Sequence, residues 1–129
     1  MPAMTMLHDV EPDKDILDRI GDISTVEIFN NQVLCAIYVR PTKTKSGIYI
    51  TDNTRSEDKY QGKVALVLKK GPRAFKDDGE WFEGCNVEVG DWVFFRVSDG
   101  WPVTINGVDC RLLDDTIIRG KVDHPDRVW

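Results

Sequence analysis

Chemistry in this 129-residue chain would have to come from two histidines, three cysteines and acidic pairs such as Asp77-Asp78 and Asp114-Asp115, and their placement argues against a reaction centre. His8 and His124 stand near opposite ends of the sequence, so a triad or a metal site would need both ends to fold back; solvated surface histidines are the expectation. Asp77-Asp78 and Asp114-Asp115 have the carboxylates for general acid and base work, but the Gly and strand signals around them favour turns and a solvated rim. Cys35 and Cys110 lie inside apolar strand patterns, as small core residues do, while Cys85 beside Gly84 reads as exposed. No C-x-x-C pair is present, and Gly71-Pro72-Arg73 and Gly90-Asp91 lack the glycine spacing and Lys-Ser/Thr ending that cradle phosphate. The expectation is a protein that is not an enzyme, with no catalytic residue, no metal and no cofactor.

Recognition is a different matter. Lys43-Thr44-Lys45-Ser46-Gly47-Ile48-Tyr49-Ile50-Thr51 sets an apolar tripeptide straight after a basic, Gly-containing segment. Such a stretch is either an ordinary strand or a linear peptide that another protein binds as a strand or hook. Lys43, Thr44, Lys45, Ser46, Gly47, Ile48, Tyr49 and Ile50 are therefore the candidate partner-binding residues.

The elements that would carry this segment are mostly strands. Residues 9–21 read as a short acidic helix, with Pro12 in its first turn, Ile16, Leu17 and Ile20 on one face and Gly21 to end it. Too short to stand alone in water, it is expected to dock on the domain or on a neighbouring subunit. From Val26 onward, β-type runs at Val33–Val39, Lys63–Leu68, Trp92–Val97, Val103–Ile105, Val108–Leu113 and Thr116–Val122 are punctuated by Gly, Asp, Asn and Pro. Asn106-Gly107 is a two-residue hairpin signal, since both central turn positions need positive φ. Short strands at this spacing, without intervening helices, predict an all-β fold: a small, closed or partly closed β-barrel. Val33-Leu34-Cys35-Ala36-Ile37-Tyr38-Val39 is apolar on both faces, so its outer face needs a cover, either a second subunit or the chain's own extensions.

The length allows one compact domain, divided here into an acidic arm (1–25), the barrel (26–122) and a tail (123–129). The net charge of −5 argues against a nucleic-acid grip and towards protein partners. Trp81, Phe82, Trp92, Phe94, Phe95 and Trp101 lack the interleaved Lys and Arg of a single-strand binding face, so core and subunit-contact roles are expected for them. An odd, widely spaced cysteine set reads as a reducing compartment, and no apolar run approaches a membrane span. Cytoplasmic localisation, without membrane or nucleic-acid partners, follows.

Over residues 26–122 the chain resembles the GroES co-chaperonin family. Lys43 to Ile50 looks like the mobile-loop pattern of that family; Gln61-Gly62-Lys63-Val64-Ala65-Leu66-Val67 looks like its next strand, and Lys70-Gly71-Pro72-Arg73 like the segment after it. Val87-Glu88-Val89-Gly90-Asp91-Trp92-Val93-Phe94-Phe95 is close to the V-x-V-G-D-x-V-x-F element. Val103 to Gly107, and on through Leu113 to Ile118, resembles the terminal hairpin, acidic pair and last strand. Departures are local: Ile28-Phe29-Asn30-Asn31-Gln32-Val33 stands where the family carries an Asp-Arg pair, Tyr49 is larger than the usual aliphatic residue, and both terminal extensions lack a counterpart.

The resemblance implies a GroES-like β-barrel in a ring of seven, the first and last strands of neighbouring subunits meeting. Val33, Cys35, Ile37, Ile117, Ile118 and Val122 would form the subunit contact. Ile48, Tyr49 and Ile50 would enter an apolar groove on a chaperonin ring, which binds and hydrolyses the nucleotide. The two extensions leave open an alternative: the same fold reused as a structural subunit of a larger shell, such as a phage capsid decoration protein in a virion. The fold also occurs in medium-chain alcohol dehydrogenases, but the dinucleotide-binding half and zinc ligands of those enzymes have no match here.

Overall fold

A computed structural model describes residues 11–38, 64–76, 87–96 and 98–125. The first element is a helix, α1 (Pro12–Ile20), with Asp13 and Asp15 in its first turn and Arg19 in its last, the charge order that favours a helix dipole. Pro12 presets the first helical φ. Gly21, at φ 65°, ends the helix and donates its N–H to Leu17 O at 3.1 Å. Ile16 and Ile20, one turn apart, are buried, each burial contributing about 1.5–3 kcal/mol. Leu17, expected on the same face, is 49% exposed. It sits about 100° further round the helix, beyond the narrow stripe that a single sheet contact covers.

Among the described residues six strands follow: β1 (Gln32–Ile37), β2 (Val64–Lys70), β3 (Trp92–Phe94), β4 (Trp101–Ile105), β5 (Val108–Asp114) and β6 (Gly120–Val122). They make one antiparallel sheet in the order β4-β5-β1-β2-β3-β6, the all-β architecture that the residue pattern predicts. A register shift between Leu34 and Cys35 leaves Leu68 between the partners Lys69 and Val67, a bulge that bends the central pair. The β4–β5 turn has φ 50° at Asn106 and 81° at Gly107, as the Asn-Gly signal requires.

Alternation along the strands separates two cores. Leu34, Ala36, Tyr38, Leu66, Trp92 and Cys110 face one way, and Ile16 and Ile20 of α1 pack among them. Val33, Cys35, Ile37, Val67, Val93 and Leu113 face the other way, joined by Ala74, Val87 and Phe95. The double-sided apolar pattern of β1 is thus covered on both faces by the chain itself.

The run Thr116–Val122 does not form one strand. A 3-10 turn (Asp115–Ile117) interrupts it, and only Gly120–Val122 pairs, on the far side of β3. The sheet order supplies the reason: the chain must leave β5, next to β1, and reach the opposite edge. Gly71 marks a second tight place, because a Cβ there would lie 2.4 Å from Asn30 O, closer than any side chain allows. Its N–H donates to Gln32 O at 2.8 Å, binding the Gly-Pro segment to the start of β1.

Candidate partner-binding site

Residues 43–50 fall in the connection between β1 and β2, outside the described residues. What the structure defines is the platform from which that connection leaves. Ile37 pairs with Ala65, and Tyr38 N donates to Val64 O at 3.2 Å, so the two ends of the connection meet side by side. Tyr38 is buried and packs edge-on against Trp92, ring centroids 5.9 Å apart and planes at 89°. The aromatic pair anchors the base of the connection in the sheet.

The residues expected at a subunit contact divide. Val33, Cys35 and Ile37 are buried within their own chain, and a side chain without accessible surface has no area to give to a neighbour. Ile117 and Ile118 are half-buried against the same core, while Val122 is half-buried on β6, one of the two sheet edges. Among the aromatics expected in core or contact roles, Trp92 and Phe95 are buried and Phe94 is half-buried, whereas Trp101, at the start of the other edge strand, is 67% exposed. Trp81 and Phe82 lie outside the described residues.

Two polar expectations also change. Asp115 is buried and not part of a solvated rim: its carboxylate accepts from Asn31 Nδ2 and from Phe75 N, each at 3.0 Å, while its own N–H donates to Asn31 O. It bolts together the start of β1, the 72–75 turn and the end of β5. Next to it, exposed Asp114 accepts from Gln32 Nε2. Asn31 and Gln32, where the Asp-Arg pair of the resemblance is missing, therefore hold the acidic pair with neutral amides. His124, expected in solvent, is buried, its Nε2 lying 3.3 Å from Glu11 Oε2. His8, Cys85 and Asp77-Asp78 lie outside the described residues.

Neither of the two described cysteines is activated as a nucleophile. Burial, with a smaller contribution from nearby Cys110, pushes the Cys35 thiol far above its ordinary value, and burial together with the Asp109 charge pushes Cys110 up to about 11. They face opposite sides of the sheet. Arg111 is buried, its guanidinium 5.6 Å over the Phe95 ring and its Nη1 donating to Asp99 O at 2.9 Å, a brace between β5 and the turn before β4. Among the described residues no group of three potential ligands could hold a metal, and no helix is long and apolar enough to cross a membrane. Asn31 and Gln32, which sequence reasoning missed, and Asp115, which it placed in a solvated rim, act in positioning. The signal for the two amides was the loss of the Asp-Arg pair.

Comparison with known proteins agrees with this architecture. The family model of the chaperonin 10 kDa subunit matches residues 25–122, which include all six strands and leave out α1. The co-chaperonin GroES of Syntrophomonas wolfei is 35% identical over 85 residues, covering 66% of this chain and 83% of that protein. Those of Caulobacter vibrioides and Rhodobacter capsulatus are 32% identical over 93 residues and 36% over 80, covering 72% and 62% of this chain and 92% and 79% of the relatives. With its sheet intact and a match across most of its length, the chain belongs to the chaperonin 10 kDa subunit family.

Proposed function

We propose that this protein is a cytoplasmic co-chaperonin that assembles into a heptameric ring and caps the folding chamber of a chaperonin, which binds the nucleotide. The observation that carries the proposal is the position of Lys43 to Ile50: inside the family match, between two strands whose ends are hydrogen-bonded together over a buried aromatic pair. From that base, a segment of this composition can reach a partner groove and return. Burying Ile48, Tyr49 and Ile50 would supply a few kcal/mol per subunit at ~25 cal/mol per Å². Ordering each backbone residue would cost about 1–2 kcal/mol, so one segment binds marginally and seven bind through avidity. That balance suits a cap which must come off.

The alternative of a shell subunit requires extensions that reach neighbouring molecules. The described parts, 11–24 and 123–125, instead bury Ile16, Ile20 and Pro125 in their own chain, which favours the capping role. The test is nucleotide-dependent retention by a chaperonin ring. The native chain should bind when nucleotide is present, and the double substitution Ile48→Ser and Ile50→Ser should abolish binding without changing the far-ultraviolet circular dichroism. Absence of retention by the native chain, under conditions where a known cap binds, overturns the proposal.

A further inference from the structure

The two chain segments that fall outside the family match meet each other, and they do so across the sheet. α1 meets groups from opposite edges at its two ends. At its N-terminal end, Glu11 Oε2 lies 3.3 Å from His124 Nε2, just beyond β6; Pro12 and Pro125, which follow these two residues, are both fully buried. At its C-terminal end, Asn106 Nδ2, in the turn of the β4–β5 hairpin, donates to Ile20 O at 2.8 Å, satisfying a carbonyl that a helix end leaves open. Between the pins, Ile16 and Ile20 seat the helix on the sheet. β4 and β6 are the two edges of the sheet, and among the described residues no strand pairing joins them.

We propose that α1 is a strap that closes the roll of the sheet, doing with one helix what a strand-to-strand ladder does in a fully closed barrel. The helix is shorter than the flat sheet is wide. Six strands laid flat would put the edges about 24 Å apart at about 4.8 Å per step. The nine residues of α1 span about 14 Å. The rest is bridged by the Glu11, His124 and Asn106 side chains and by any bend of the edges towards each other. The strap thereby fixes where the β6 edge stands relative to the β4–β5 hairpin, and a change at either pin is transmitted to the opposite edge.

Amide hydrogen exchange on the full chain tests this. Asn106→Gly keeps a turn that accepts positive φ and removes only the side-chain donor. It should speed exchange of the 120–122 amides about fivefold, the effect of losing one ordinary hydrogen bond, although these amides lie at the other edge. Glu11→Ala should do the same to the amides at 108–110, beside the hairpin turn. The double variant should add less than the sum, because a strap freed at one end has little left to lose at the other. Acceleration confined to the neighbourhood of each substitution, or strictly additive effects, would show two unrelated surface contacts and overturn the proposal.

Discussion

At the scale of single residues, the bolt at Asp115 shows how a familiar pattern can be rewired without loss of fold. Each of its carboxylate oxygens accepts from a neutral donor, Oδ1 from Asn31 Nδ2 and Oδ2 from Phe75 N. Asn31→Asp would set a second carboxylate within 3.0 Å of the first and should destabilise the chain by about 2–3 kcal/mol. Asp115→Asn should cost less, because one acceptor survives. The combined exchange, Asn31→Asp with Asp115→Asn, restores a donor–acceptor pair and should recover a large part of the loss; urea midpoints at constant m-value measure all three. No reading of local sequence reaches this pair, since its members are 84 positions apart and an acidic pair after a strand usually points to water. His124 escaped for the same reason: its neighbour Glu11 lies at the other end of the chain.

Elements were legible where one period or one turn decided them. Asn106-Gly107 fixes its own φ values, and the alternation of β1 and β2 places every apolar side chain on one of two faces. The break in Thr116–Val122 was hidden, because a run of β-favouring residues carries no mark of the sheet order that forces the chain to cross. For α1 the period located the helix and left its buried stripe too wide. The structure narrows that stripe to Ile16 and Ile20, which leads to a differential expectation. Ile20→Ala should lower stability by about 2–4 kcal/mol through the cavity it leaves. Leu17→Ala, at a half-exposed position, should change it by no more than about 0.5 kcal/mol. Thermal or urea unfolding of the two variants compares them directly, and equal effects would mean that both leucine and isoleucine faces are engaged.

For the molecule as a whole, the decisive feature is that its central strands need no neighbour. One face of β1 and β2 is covered by α1 and the residues beside it, the other by Ala74, Val87 and Phe95. Among the described residues, the exposed large apolar side chains are scattered, at Leu17, Phe29, Val89 and Trp101, and only Trp101 belongs to an edge strand. A ring of such subunits would therefore be joined at edges, with assembly adding stability by mass action to a fold that already exists. If the proposed ring forms, diluting the protein through its dissociation should yield a low-mass species, seen by sedimentation, that keeps the near-ultraviolet signal of the Tyr38–Trp92 pair and the slow exchange of the β1 and β2 amides. The opposite result, loss of that signal and protection in step with dissociation at every concentration, would mean that neighbouring subunits complete the core. In that case the ring would be a condition of folding, and the two-sided cover within one chain would have been insufficient to hold it.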